Sequence, residues 1–436
     1  MKEIRLYDYQ EEMMERIDTA FRSYQSVMVQ MPTGTGKTVL LAEQVKSEER
    51  RAKEVKSEER RAKEVKSEER RVKNPCVWIV VHRRELVEQI KETLNATHNV
   101  ECEMLNVNES KPLDSSFFTL HSSLNPLDSS LFTLRSSLNP RVFSIQWLSK
   151  HYHELEEKPS LIIIDEAHHA VAKTYKEVMD AYPEARKLGL TATPCRLNRR
   201  GFTDLFDVLL QSWSVKKFIA DGWLSLYDYM SIREDSDDWR VVSSLKKRGA
   251  DGDFSLNEMS EKLNVLPSIE RLCDTILRYA PDKKGITYAI DIAHAERIAQ
   301  YYREHGLNAV AISSKTPPEE RKQLIEWFRN TNCHELERDS NTNCHELPTN
   351  LSTNCHEFKI QNSKIQNRLC RQFKTQNSKL KILITVDLFG EGFDCPDVEF
   401  IQLARPTLSL AKYLQQVGRG MRVFEGKKYC LILDNV

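Results

Sequence analysis

Met31-Pro32-Thr33-Gly34-Thr35-Gly36-Lys37-Thr38 follows a short apolar run, Val27-Met28-Val29, and precedes Val39-Leu40-Leu41-Ala42, where a helical pattern begins. Strand, glycine-rich turn and helix is the order in which a phosphate cradle works. The turn aims backbone N–H groups at a phosphate, and the helix N-terminus adds the positive end of its dipole. Lys37 would reach the outer phosphates, and the Thr38 hydroxyl would ligate Mg²⁺. The strict pattern G-x-x-x-x-G-K-[ST] asks for glycine at position 31, where this chain has methionine.

The 436 residues carry 64 basic and 64 acidic side chains, so the net charge is zero. A length of this order points to two to four domains. A nucleic-acid partner would have to be held by local basic patches, because the overall field does not attract it. The ten cysteines form no C-x-x-C pair, which fits a reduced, cytoplasmic protein. No apolar run is long enough to span a membrane, and the start, Met1-Lys2-Glu3-Ile4-Arg5, has no apolar leader core.

Upstream of the loop, Leu6, Tyr9, Met13, Met14, Ile17 and Phe21 recur at helical spacing. Gln10 falls among them and reads locally as a solvated helix residue. Downstream, Val45-Lys-Ser-Glu-Glu-Arg-Arg-Ala-Lys-Glu recurs from Val55 and, with changes, from Val65. A ten-residue period rotates each copy by about 80°, so the valines make no single stripe, and a solvated charged helix over about 46–73 is expected. Cys76-Val77-Trp78-Ile79-Val80-Val81 is a buried parallel strand by its continuous apolar run. Arg83 and Arg84 follow its C-terminal end, where they could hold backbone phosphates. Residues 113–140 repeat a second unit twice and read as a duplicated loop insertion.

Leu161-Ile162-Ile163-Ile164 is another buried strand, and it ends in Asp165-Glu166-Ala167-His168. Two adjacent carboxylates at a strand end call for a cation. Asp165 would hold Mg²⁺, Glu166 would orient or deprotonate a water, and His168 could couple the site to the neighbouring lobe. Leu188-Gly189-Leu190-Thr191-Ala192-Thr193-Pro194 completes a first parallel sheet, with the stretch through Phe218 and Ile219 closing that lobe. Polar residues 226–265 read as a linker. A second α/β series starts at Gly285 and runs through Ala309-Ile312 and Pro317-Phe328. Residues 331–378 then break it with reiterated Thr-Asn-Cys-His-Glu units. Their Cys-His pairs lack metal-site spacing and read as loop. The series resumes at Lys381, turns at Glu391-Gly392-Phe393-Asp394, and ends in the helix Tyr413-Arg422 and the strand 429–433. Arg419 and Arg422, three apart, are expected on one helix face.

Taken together these motifs resemble the superfamily 2 helicases, in the DEAH-box branch near the ATPase subunit of type III restriction enzymes. The family's phosphate loop often lacks its first glycine, as at Met31. The resemblance covers nearly the whole chain outside the repeats. It implies an α/β fold of two tandem RecA-like lobes with parallel sheets, an ATP-binding lobe at 1–225 and a C-terminal lobe at 266–436, with ATP and Mg²⁺ between them. Thr33, Gly34, Thr35, Gly36, Lys37 and Thr38 would hold the phosphates, and Gln10 is similar to the glutamine that reads adenine. Thr38 and Asp165 would serve Mg²⁺, and Thr191 and Thr193 would couple hydrolysis to the nucleic-acid strand. Gln415, Arg419 and Arg422 look like the second lobe's contribution, and Gly392 and Asp394 match the motif between nucleotide and nucleic acid. The implied activity is an ATP-dependent DNA helicase or translocase, with a nuclease or repair subunit as partner. An RNA-stimulated ATPase of the same fold, or an inactive remnant broken by the repeats, are the alternatives.

Overall fold

The computed structural model describes residues 5–63, 76–82, 140–170, 173–193, 203–249, 252–332, 380–386 and 395–436, with Val87, Ile90 and Leu94 besides. Arg83, Arg84, Gly392, Asp394 and the Cys-His pairs lie outside the described residues, as do nearly all of 113–140 and 331–378. Contacts divide the chain into two compact units, Met1–Pro32 with Gly36–Trp213, and Thr33–Thr35 with Ser214–Val436.

In the first unit, α1 (Asp8–Ala20) leads into β1 (Ser26–Gln30) and α2 (Lys37–Lys63). β2 (Val77–Val81), β3 (Arg141–Ser144), α3 (Ile145–His151), β4 (Leu161–Asp165), α4 (Lys173–Ala181), β5 (Arg186–Thr191) and β6 (Val208–Gln211) follow. The strands form one parallel sheet in the order β3-β2-β4-β5-β1-β6. β2 is buried along its whole length, as its unbroken apolar run requires. One face of the sheet packs Trp78, Phe143, Ile162 and Ile164 against Tyr175 and Met179 of α4.

Residue patterning alone predicts that this sheet ends at β5. The structure adds β6 on the far side of β1, an edge strand whose half-exposed residues give no clear alternation. Its start is fastened by Asp207, whose carboxylate accepts the Ser26 N–H at 2.8 Å and the Ser26 hydroxyl at 2.7 Å.

The first copy of the ten-residue repeat is also not the solvated extension expected. Val45 is fully buried, and Glu48 and Glu49 are buried on α2. Glu48 pairs with Arg51 at 2.9 Å and with Arg186 of β5, and Arg51 reaches Asp18 of α1 at 2.6 Å.

The second unit opens with α5 (Val215–Ala220) and β7 (Tyr227–Ser231), then α6 (Asp237–Ser243), α7 (Leu256–Leu263) and α8 (Leu266–Tyr279). β8 (Gly285–Tyr288), α9 (Ile292–Glu304), β9 (Ala309–Ile312), α10 (Pro318–Arg329), β10 (Ile382–Thr385), β11 (Phe400–Leu403), α11 (Leu410–Gly418) and β12 (Cys430–Asp434) complete it. Its parallel sheet runs β7-β12-β11-β8-β10-β9. Phe218 and Ile219 therefore belong to this unit. The stretch 226–265 supplies its edge strand and two helices; its polarity reflects the exposure of β7, where four of five residues face solvent.

Gln402 sits at the centre of this unit with every side-chain polar atom used. Its Oε1 accepts from Thr287 at 3.0 Å and Tyr302 at 2.6 Å, and its Nε2 donates to the Leu272 carbonyl and to Asn435. Lys284, 1% exposed, pairs with Asp397 at 2.6 Å. The block at 331–378 leaves after α10 and the chain returns at β10, which pairs on both sides, with β8 and β9. Thr331 Oγ1 lies 2.9 Å from both the Trp327 and Leu380 carbonyls, so the two ends of the block are tied together.

Candidate functional site

Met31 extends β1: its N–H donates to the Thr191 carbonyl at 2.9 Å, and its side chain is fully buried. An extended residue with a buried side chain has no need of glycine. Thr33, Gly34 and Thr35 form the turn that follows, and Gly34 and Gly36 both hold positive φ, 91° and 81°. That conformation is open to glycine at little cost. A Cβ on Gly36 would also collide with Gln10 Nε2, so the loop passes directly over that glutamine. Gln10 is 2% exposed, not solvated, and its Oε1 accepts the Tyr7 N–H at 3.1 Å. α2 begins at Lys37 and puts its free N–H groups at the turn.

Lys37 Nζ lies 3.4 Å from the Met31 carbonyl and 4.0 Å from Glu166 Oε1. Glu166, 8% exposed, has φ 49°, one of two described non-glycine residues with positive φ. Such strain persists where the surroundings enforce it, and it clusters at functional sites. The Glu166 N–H donates to its neighbour Asp165 Oδ1 at 3.0 Å, which orients the first carboxylate at the end of β4.

The short turn Ala167–His169 then carries His168 back to β5. It can do so because residue 189 is glycine. A Cβ there would meet Ala167 Cβ at 2.8 Å and the Phe206 ring at 2.5 Å. His168 Nδ1 lies 3.1 Å from Thr191 Oγ1 and 3.3 Å from Glu166 Oε2. Thr191 Oγ1 donates to the Thr193 carbonyl at 2.8 Å and accepts the Thr193 N–H at 3.1 Å. With the hydroxyl proton committed, the remaining lone pair accepts from His168, which places the imidazole proton on Nδ1. Lys37, half-buried, and the buried Glu166, His168, Thr191 and Thr193 thus form one polar chain from the glycine turn to the end of β5.

In the second unit Gln415, Gln416 and Arg419 are buried and Arg422 is half-buried. The two arginines do not share a helix face. α11 ends at Gly418, Arg419 is its C-cap, and Arg422 lies in irregular chain beyond it. The chain leaves the helix because Lys427 captures the backbone there, donating to the Gly420 carbonyl at 2.6 Å and the Arg422 carbonyl at 2.9 Å.

The first unit's donor set fits a nucleotide with Mg²⁺. The glycine turn leaves no room for a side chain at Gly36, a helix N-terminus and Lys37 supply positive charge, and Thr38 and Asp165 are the few oxygens Mg²⁺ takes from protein beside phosphate and water. Among the described residues no cluster of three or more metal-ligating side chains exists. No described helix is long and apolar enough to cross a membrane.

Residues 3–196 match the family described as "Type III restriction enzyme, res subunit", and residues 340–424 match "Helicase conserved C-terminal domain". The chain belongs to the superfamily 2 helicases. It is 26% identical over 412 residues to the "51.5 kDa protein" of a Lactococcus phage (isolate 7-9), covering 94% of this chain and 65% of the phage protein. It is 24% identical over 289 residues to the "Type I restriction enzyme EcoAI endonuclease subunit" of Escherichia coli, covering 63% of this chain and 31% of the subunit. The chain thus spans less than two thirds of either relative. The solved structure "ATP-dependent Type ISP restriction-modification enzyme LlaBIII bound to DNA" superposes with a TM-score of 0.60 at 15% identity, over 100% of this chain and 28% of that one. At that identity the likeness shows the fold of this superfamily 2 member.

Proposed function

We propose that this protein hydrolyses ATP with Mg²⁺ and couples the hydrolysis to movement along DNA. The observation that carries the reading is the polar chain of Lys37, Glu166, His168, Thr191 and Thr193, buried beyond Lys37. ATP with Mg²⁺ would supply the transferable γ-phosphoryl group and the charge that neutralises its oxygens. Thr33 to Thr38 hold the phosphates, with Lys37 as the principal cation. Asp165 and Thr38 hold the metal, and Gln10 contacts the base. Glu166 takes the proton of the attacking water. His168, donating from Nδ1, passes a change at Glu166 to Thr191 and Thr193, which face the bound strand.

In the second unit Gln415, Arg419 and Arg422 stabilise charge in the transition state; such an arginine is worth about 10³–10⁵ in rate in other NTPases. Arg83, Arg84, Gly392 and Asp394 complete the nucleic-acid and coupling contacts on the strength of the motif match. DNA stands ahead of RNA because the E. coli relative is a restriction subunit and the LlaBIII structure is of a DNA complex. A nuclease or repair subunit is the partner such a motor would serve. The four described cysteines, all free and buried, suit the reducing cytoplasm.

The test is ATP hydrolysis by the purified protein alone, with single-stranded DNA, with duplex DNA and with RNA, beside Lys37→Ala. DNA-stimulated hydrolysis that Lys37→Ala abolishes is the expected result. No stimulation above that control sinks the motor reading, and stimulation by RNA alone replaces DNA as the track.

A further inference from the structure

Two charged side chains outside every motif discussed so far grip the segment that carries Gln415, Arg419 and Arg422. At its entry stands Asp253, 1% exposed. Its carboxylate accepts the Thr407 hydroxyl at 2.8 Å and the Leu408 N–H at 2.8 Å. Lys412 Nζ lies 3.4 Å and Arg405 Nη2 3.9 Å from the same carboxylate. Thr407 Oγ1 in turn accepts the Ser409 N–H, and Ser409 is the N-cap of α11, taking the Lys412 N–H. One buried carboxylate therefore sets the backbone through the first turn of the helix.

Asp253 is itself rigidly mounted. It lies in a turn closed by an antiparallel bridge between Arg248 and Phe254 and by the Gly249 N–H to Asp253 carbonyl bond at 2.8 Å. The Arg248 guanidinium covers the Phe254 ring at 4.5 Å. Glu258 of α7 accepts the Lys246 and Lys247 N–H groups at 3.1 and 2.7 Å, tying the turn to the next helix.

At the exit stands Lys427. Its ammonium donates to three carbonyls, those of Gly420, Arg422 and Pro396, the last at 3.3 Å. Arg422 has no helix to place it, so this ammonium fixes the path of its backbone.

We propose that Asp253 and Lys427 are paired positioning residues that fix the two ends of the arginine-bearing segment and so set the rate of phosphoryl transfer without touching the reacting atoms. The inference rests on the assignment of Gln415, Arg419 and Arg422 under Proposed function. Displacing a catalytic group by about 1 Å costs roughly 10²-fold in rate, so the bracket acts on turnover and leaves nucleotide affinity to the phosphate loop.

The experiment uses the full chain with Asp253→Asn, Lys427→Met and the charge-conserving Asp253→Glu and Lys427→Arg. DNA-stimulated hydrolysis and hydrogen exchange by mass spectrometry are measured on each. For Asp253→Asn and Lys427→Met, kcat falls about tenfold to a hundredfold while KM for ATP stays within about threefold. Amides of residues 408–422 exchange faster, β8 and β11 keep their protection, and the charge-conserving variants recover part of kcat. Wild-type kcat in either neutral variant overturns the proposal. So does a loss of protection spread evenly over the second unit, which marks a general structural role. If the unaltered chain shows no stimulated hydrolysis, the motor reading falls and exchange alone decides the bracket: unchanged exchange at 408–422 overturns it, and locally faster exchange upholds it.

Discussion

Thr191 Oγ1 has one proton and two lone pairs, and Thr193 and His168 use all three. Thr191→Val keeps the shape and removes every one of these bonds. It leaves a buried imidazole N–H and a buried backbone N–H to find other partners, at a cost of about 1–3 kcal/mol in stability, read by urea unfolding. It should also cut DNA stimulation of ATP hydrolysis more than basal hydrolysis, since His168 loses its link to β5; equal loss of both argues against coupling through Thr191. Lys284 is a different case. Lys284→Met leaves the Asp397 carboxylate buried without its ammonium, and removing one member of such a pair costs about 3–5 kcal/mol. Urea unfolding that shifts by less than half of that shows that other groups compensate Asp397. At this scale the types and spacing of Lys37, Asp165, Glu166 and Thr191 were legible in the chain, because Lys37 opens a helix after a glycine turn and the other three fall at or just after strand ends. Gln10 was not, since a polar side chain at helical spacing reads as solvated until the loop that covers it is placed.

The repeats decide the most at the level of elements. All three blocks precede a strand, β2, β3 or β10, and so enter at the amino ends of the sheets. Asp165 and Thr191 lie at carboxyl ends, where open α/β sheets bind ligands. Replacing residues 333–379 with a short Gly-Ser turn should therefore leave the melting transition in place or raise it slightly, because each halving of a loop returns about 0.6 kcal/mol. A collapse of the second transition in calorimetry would mean that the block supports β10. The first decapeptide differs from its copies in one respect that composition cannot reveal: it follows the glycine turn at 33–36 closely, so α1 and β5 stand beside it. Glu48→Ala should destabilise the first unit by about 1–3 kcal/mol, since it strips Arg51 and Arg186 of a charged acceptor. The helix bearing Arg419 was legible from Leu414 and Val417; its end was not, because Lys427, which bends the exit, is remote from the helical pattern.

For the whole molecule, two compact units imply that unfolding need not be a single step, and acid should act on the second unit through a buried histidine. Burial pushes His294 down to about 4 from an ordinary 6.5, with Asp291 opposing and Arg297 adding to the shift. Between these values the unfolded imidazole binds a proton that the folded one refuses. The stabilising contribution is therefore full above pH 6.5 and is lost as the pH falls toward 4, to the extent of about 3 kcal/mol. Urea unfolding of the second unit at pH 7 and pH 4.5 should show this slope, and His294→Gln should flatten it; parallel slopes would falsify the assignment to His294. The sequence by itself determined that there are two parallel α/β sheets and a glycine turn between the first strand and the helix after it, because buried strands and glycine turns are local patterns of residue type. Only the tertiary structure decided that Met31 is a strand residue, that Gly189 lets His168 reach Thr191, that the polar stretch from 226 is part of the second sheet's unit, and that Asp253 and Lys427 hold the arginine segment. Each of these depends on groups far apart in the chain, and a side chain's partner across such a distance exists only once the fold has brought it there.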